Sequence, residues 1–283
     1  MRAAFVILRQ RENADGAGRT LIVLEESVMK RIVVLCLAAG LIGLSQAALI
    51  DDFQSYQAGL IRDGVTGGVW KEITAGSSFA KIGEEDDNRF LQTGWNGGGR
   101  GAYRSIPAIA NTCSAATLFM QIYAITSSQD TSIGLADVVT TSAATWGDFE
   151  IQIVLGNGDD AEHINLRARD GGTVETYMAL ELGQWYNIWA VIDQTNDWFD
   201  LYVTTGKDSA VGKSPINPDP INFRNGTTAD LAYFLALTNY RDMNYRLDNI
   251  YLTEGVDLIN PTPEPCSLVL LGIGGLAAGM RKR

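Results

Sequence analysis

Residues 183–208 read GQWYNIWAVIDQTNDWFDLYVTTGKD, and their rhythm decides the fold class. Tyr186, Ile188, Ala190 and Ile192 alternate with Asn187, Trp189 and Val191; after a polar turn, Phe199, Leu201 and Val203 resume the alternation. Successive side chains of a strand point to opposite faces, so a two-residue period sends one set into a core and the other away from it. The stretch is a predicted antiparallel hairpin, with Trp189, Trp198 and Tyr202 alternating out of the core face. Trp185, which opens the first strand, is read as core.

The same reading extends to both sides. Further strands are predicted over 118–125, 149–155, 164–169, 231–237 and 247–252, separated by Gly, Asn, Asp and Ser clusters, with no sustained helical period. The body is therefore predicted to be all-β. The glycines of GWNGGGRGAY, residues 94–103, read as a turn, and Asn217-Pro218-Asp219-Pro220 as a rigid loop. A second hairpin joins 149–155 to 164–169 through GNGDDAEH, a loop rich in turn formers. A register symmetric about that loop sets Glu150 across from Arg169 and Gln152 across from Arg167, on the face opposite Phe149, Ile151 and Ile153.

Both ends of the chain carry a different kind of pattern. From Met29, MKRIVVLCLAAGLIGLSQA has a basic start, an apolar run over 32–44 and small residues at Ser45 and Ala47, the order of a secretory signal cleaved after Ala47. Residues 1–28 precede that signal and read as an upstream extension from a misplaced start. At the other end, Pro263-Glu264-Pro265 precedes an apolar segment over 268–280 and the basic Arg281-Lys282-Arg283. The apolar run is short for a stable span of about 20 residues, and the terminal cations favour the cytoplasmic side. That is the physics of a transient anchor in the inner membrane.

Composition narrows the function classes. The formal net charge of the 283-residue chain is -11, and residues 48–260 hold 13 Lys/Arg against 28 Asp/Glu, with no basic stretch suited to nucleic acid. Of the three cysteines, Cys36 lies in the signal and Cys266 in the tail, which leaves Cys113 alone and excludes a disulfide framework.

Two resemblances follow from these residues. The order Pro263-Glu264-Pro265, apolar segment, Arg281-Lys282-Arg283 resembles the sorting tail of the PEP-CTERM family. This implies recognition by an exosortase after passage through the secretion machinery, and a cell-surface or extracellular destination in bacteria that make extracellular polysaccharide. The 183–208 hairpin, with DDFQSY near the start and YRLDNIYL near the end, resembles laminin-G-like domains of the concanavalin A-like superfamily. That resemblance implies one jelly-roll sandwich over 48–257, with 258–283 as the sorting tail. The first and last strands would pair as edges, and Asp52 and Asp248 would be calcium candidates where they meet.

For chemistry, the strongest candidate is carbohydrate binding. Glu150, Gln152 and Arg167 offer a dense set of hydroxyl partners, while Trp95, Tyr103, Trp146, Trp189 and Trp198 have faces suited to stacking on sugar rings. Some relatives by fold are glycosidases with alternating acidic residues on one strand, and Asp148, Glu150 and Gln152 occupy such positions. Retaining hydrolysis needs two carboxyl groups about 5 Å apart, and Gln152 cannot act as one. His163, the single histidine, reads as an exposed loop residue, and runs such as Glu84-Glu85-Asp86-Asp87 as solvated loops. The expectation is a noncatalytic surface or matrix protein; a matrix component without ligand and a hydrolase or lyase are the alternatives.

Overall fold

The alternation in 183–208 becomes two paired strands, with Ile188 across from Val203, Ala190 from Leu201 and Ile192 from Phe199. The computed structural model describes residues 47–73, 79–94, 101–139, 145–239 and 245–262. The signal segment before Ala47, Trp95, and Pro263, Glu264, Pro265, Arg281, Lys282 and Arg283 lie outside the described residues.

In chain order the strands are β1 (Ala48–Asp51), β2 (Gly59–Leu60), β3 (Lys71–Ile73), β4 (Phe79–Glu85), β5 (Asn88–Gly94), β6 (Gly101–Ile109), β7 (Ala116–Ala124) and β8 (Asp130–Ala136). There follow β9 (Ile151–Gly156), β10 (His163–Asp170), β11 (Thr173–Glu181), β12 (Trp185–Asp193), β13 (Trp198–Thr205), β14 (Ile221–Asn222), β15 (Leu231–Thr238) and β16 (Tyr245–Glu254). Among the described residues there is no α-helix, and so none long and apolar enough to cross a membrane. The strands form two antiparallel sheets: a larger one ordered β14-β13-β12-β7-β16-β5-β4-β2, with β1 also on β16, and a smaller one ordered β11-β10-β9-β8-β15-β6-β3.

One apolar layer lies between the sheets. The larger contributes Leu118, Met120, Ile122, Ile188, Ile192, Phe199 and Leu247, the smaller Ile133, Leu135, Ile151, Ile153, Leu166 and Phe234. Each such side chain contributes roughly 1.5–3 kcal/mol when fully buried. In β16 the two-residue rhythm would fail between Leu247 and Ile250, but a bulge there, with Asn249 at φ 48°, absorbs one residue. Leu247, Ile250 and Leu252 thereby all face the core.

Several expectations are corrected. β16 is no edge strand, since it lies between β7 on one side and β5 and β1 on the other. Trp185 is half-buried on the outer face, where its ring stacks 5.5 Å from Tyr123, because it shares the parity of Asn187 and Trp189. Glu84 and Glu85 belong to β4, which turns into β5 through Asp86 and Asp87 alone, both at positive φ (50° and 65°). A two-residue turn with that geometry matches the twist of its strands, and Asp tolerates it. In the β9–β10 hairpin Arg167 pairs with Val154, where the symmetric register would have Gln152. A two-residue slip leaves the side chains of 151–155 and 164–169 on their predicted faces.

The outer faces of the sheets have different coverings. On the larger sheet, directly paired positions make an aromatic row, Tyr251–Phe119–Trp189–Tyr202, beside a polar row, Asp248–Gln121–Asn187–Thr204. Backbone from the start of the β13–β14 loop and from the segment after β16 closes over them. Asn187 Nδ2 donates to the Gly206 carbonyl at 2.9 Å, Ala210 N to the Leu258 carbonyl at 2.8 Å, and Trp189 Nε1 to the Ile259 carbonyl at 3.4 Å. On the smaller sheet, Ile73, Tyr103, Ala136, Val139, Phe149, Leu235 and Leu237 form a second apolar cluster, with Trp146 and Tyr233 at its margin. Beyond that margin the described residues leave a groove.

Candidate functional site

The open part of the smaller sheet is a groove of about 510 Å³ across β8, β9 and β10. Ile151, Ile153 and Leu155 point inward, so Gln152, Val154 and Gly156 point out. By the same rule Ile164, Leu166 and Ala168 turn Arg167 and Arg169 outward, and Ile133 and Leu135 do so for Ser132. Trp146 stands on one side, Val174 of β11 on the other, and Arg224 arrives from the loop after β14.

The polar groups of the groove hold one another in place. Gln152 Nε2 donates to Ser132 Oγ at 2.8 Å, and Gln152 Oε1 accepts from Arg224 Nη1 at 2.6 Å. Arg169 donates through Nη2 to the Gly172 carbonyl at 2.8 Å. The Arg167 side chain lies against the bare Cα of Gly156, where an added Cβ would come within 2.9 Å of Nη1. Its Nε is buried without a hydrogen-bond partner. Burial, reinforced by the nearby Arg169 charge, pulls the Arg224 guanidinium below its ordinary pKa, against the opposing pull of Glu150 and Asp148.

The sequence-derived candidates divide sharply. Trp146, Gln152 and Arg167 share the groove. Glu150 does not line it: the strand begins one residue later, and the Glu150 side chain is buried with Asn225 Nδ2 3.4 Å from Oε1. Asp148 is not on the strand either. It closes a short 3-10 turn (Trp146–Asp148), where its Oδ2 accepts from Thr145 N at 2.9 Å. Phe149 consequently packs into the outer cluster rather than with Ile151 and Ile153. Tyr103 is only 4 % exposed, its ring 6.4 Å from Tyr233. Trp189 is fully buried, and Trp198 is half-buried on the larger sheet with it, on the face away from the groove. A buried ring has no face to offer a sugar, which corrects Tyr103 and Trp189 as candidates. His163 opens β10, where its ring meets Asp160 at 2.9 Å and the carboxylate raises the imidazole pKa.

The calcium candidates are engaged in hydrogen bonds within the protein. Asp248 Oδ1 accepts from Asn249 N at 2.7 Å and Oδ2 from Asn88 Nδ2 at 3.0 Å. Asp52 Oδ1 accepts from Gln54 N at 3.1 Å. Among the described residues no group of three or more His, Cys, Asp or Glu is placed to hold a metal ion.

Sequence reasoning missed Arg224, Ser132 and Asp130. Arg224 is a lone cation in a loop, and the other two sit on β8, whose DTSIGLA has few large apolar residues to mark it as a strand.

Burial pushes the Glu150 carboxyl up to about 7; the Asn225 amide opposes the rise, and Asp137 and Asp197 add to it. The folded state thus keeps a proton that the unfolded chain releases above roughly pH 4.3. Its contribution to stability is full below that pH and is lost as pH rises to about 7. Glu150→Gln is expected to raise stability at pH 8 by on the order of 1–3 kcal/mol and to leave it unchanged at pH 4, read from urea midpoints. An equal shift at both pH values would contradict the burial argument.

No protein-family model matches the chain, and no curated protein matches it. Among solved structures it is similar to the T. cruzi calreticulin globular domain (10% identity, 82% of this chain and 95% of that one, TM-score 0.47). It is also similar to a GH131 β-glucanase catalytic domain from Podospora anserina (15% identity, 76% and 100%, TM-score 0.47). A sialidase is similar as well (14% identity, 75% of this chain, TM-score 0.45), and the chain spans 19% of its length. At these identities the likeness concerns the outline of the fold alone.

Proposed function

We propose that this is an exported, exosortase-sorted surface or matrix protein whose jelly-roll body binds carbohydrate, without catalysis, in the groove of the smaller sheet. One observation carries the binding part: among the described residues the outer face of β8, β9 and β10 forms a groove in which the half-buried guanidiniums of Arg167, Arg169 and Arg224 stand beside the half-buried ring of Trp146, over the buried Gln152 and Ser132. Sugars are bound by such combinations, polar groups meeting the hydroxyls and an aromatic face meeting the ring. A noncatalytic role is supported by the lining, in which Asp130 is the single carboxylate among the described residues, where a glycosidase would use a pair. Export and sorting rest on the 29–47 signal pattern and on Pro263-Glu264-Pro265 with its apolar and basic sequel. The partners are then the secretion machinery, an exosortase and extracellular polysaccharide, with the inner membrane as a transient anchorage.

Screening the protein against a glycan panel tests the binding. Trp146→Ala and the pair Gln152→Ala with Arg167→Ala are each expected to weaken the best ligand by at least about fivefold, since each removes a hydrogen-bonding or stacking contact of about 1 kcal/mol or more. Because Gln152 is buried and bonded to Ser132 and Arg224, the polar pair should also lower the thermal midpoint, so binding is compared well below it. Binding that survives both changes would place the site elsewhere, and absence of binding to every glycan would favour a matrix protein without ligand.

A further inference from the structure

We infer that the groove takes an acidic glycan, one whose sugars bear an oxyanion such as a carboxylate or sulfate; this rests on the carbohydrate-binding reading and names its substrate class. The reason lies in where the cations are. Acidic residues outnumber basic ones about two to one over 48–260, yet among the described residues three of the thirteen cations there, Arg167, Arg169 and Arg224, line this one groove against a single carboxylate, Asp130.

The groove arginines also differ from three others of the domain in what they bind. Arg89, Arg104 and Arg246 are each paired with a carboxylate: Glu84, Asp51 and Glu85. Among the described residues no carboxylate lies in salt-bridge range of the three in the groove, whose hydrogen bonds run to neutral oxygens: Asn157 O, Gly171 O, Gly172 O and Gln152 Oε1. Arg167 Nε has no partner at all. Arg169 is near enough for its charge to disfavour that of Arg224, which burial already disfavours.

A domain with an acidic surplus could have neutralised these guanidiniums internally. Left unpaired and gathered together, they repel one another until an anion arrives. The guanidinium fork matches a carboxylate or sulfate with two parallel hydrogen bonds. Arg167 and Arg169, two residues apart on one strand, lie about 7 Å from each other along it, so a polymer with repeated charges can engage them in succession. Asp130 at one end, its Oδ2 accepting from Asn239 Nδ2 at 3.0 Å, disfavours an anion there and sets a direction for the chain. A neutral glycan would leave the buried guanidinium nitrogen and its charge without compensation.

The test is calorimetric titration of the whole protein with oligogalacturonate, the same oligomer fully methyl-esterified, and a sulfated galactan oligomer of equal length. Oligogalacturonate or the sulfated oligomer is expected to bind at least about tenfold tighter than the ester. That preference should shrink severalfold between about 50 and 200 mM salt, as screening predicts. Arg167→Gln should abolish it. Arg169→Gln, whose side chain bonds only loop carbonyls and so leaves the core intact, should reduce it severalfold. The two charged oligomers distinguish carboxylate from sulfate recognition. Equal affinity for acid and ester, with both lost in Gln152→Ala, would overturn the acidic-glycan inference and keep the groove. Charged binding indifferent to both arginine changes would overturn it too. No binding of these oligomers or of any neutral glycan would overturn the carbohydrate reading as well.

Discussion

Replacing Asp51 with alanine is expected to lower the unfolding free energy by about 3–5 kcal/mol, because it strips a buried ion pair of one partner. Asp51 ends β1 at 5 % exposure and accepts from four donors: Phe53 N at 2.8 Å, Tyr56 Oη and Trp70 Nε1 at 2.7 Å each, and Arg104 Nη1 at 2.5 Å. Arg104 belongs to β6 of the smaller sheet and also donates to the Ile50 carbonyl at 2.7 Å, so this carboxylate ties the first strand of one sheet to the body of the other. Around it pack Phe53, at 5.5 Å from the Trp70 ring, and Phe234, at 6.0 Å. Burial and the Asp51 contact hold the Tyr56 phenol well above its usual range, which keeps it a donor throughout the ordinary pH scale. Asp51→Asn keeps acceptors but loses the charge and should fall between the two. The measurement is a urea titration: a midpoint shift at unchanged slope reports stability. A loss under about 1 kcal/mol for the alanine variant would mean that Arg104 finds water instead.

Trp189→Ala is expected to cost a comparable amount, about 3–5 kcal/mol for a large buried aromatic. Its ring sits 4.9 Å from Phe119, edge to face, with Tyr251 completing the row, and its indole N–H holds the 255–262 segment by the Ile259 carbonyl. The alanine variant should therefore show faster proteolysis within 255–262 as well as a lower midpoint. This outcome separates a structural tryptophan from a ligand-stacking one. If Trp189 bound sugar, the change would weaken binding and leave stability alone.

How much was legible in the sequence depended on how local the signal was. In 185–205 each residue's environment follows from its neighbours two positions away, so the hairpin, its core face and the outward parity of Trp189 and Tyr202 could be read directly. What could not be read was the cover over that outer face, which comes from 206–210 and 258–259. β11 was missed because most of its TVETYMALE is exposed and carries no alternation. The groove was half legible. Gln152 and Arg167 lie on predicted strands with the right faces, but a register set by the loop, an unread neighbour in β8 and a lone loop cation, Arg224, assemble the rest. Asp51 gave no sign of its role, since three of its partners lie 5, 19 and 53 residues further on.

The location of the site is open to one direct measurement: hydrogen–deuterium exchange of the protein with and without its tightest-binding oligosaccharide. The account predicts slower exchange in the groove rim, residues 145–149, 157–163 and 223–226, and in β8, β9 and β10, with no change over 206–212 and 255–262. Protection confined to those last two segments, on the outer face of the larger sheet, would contradict it.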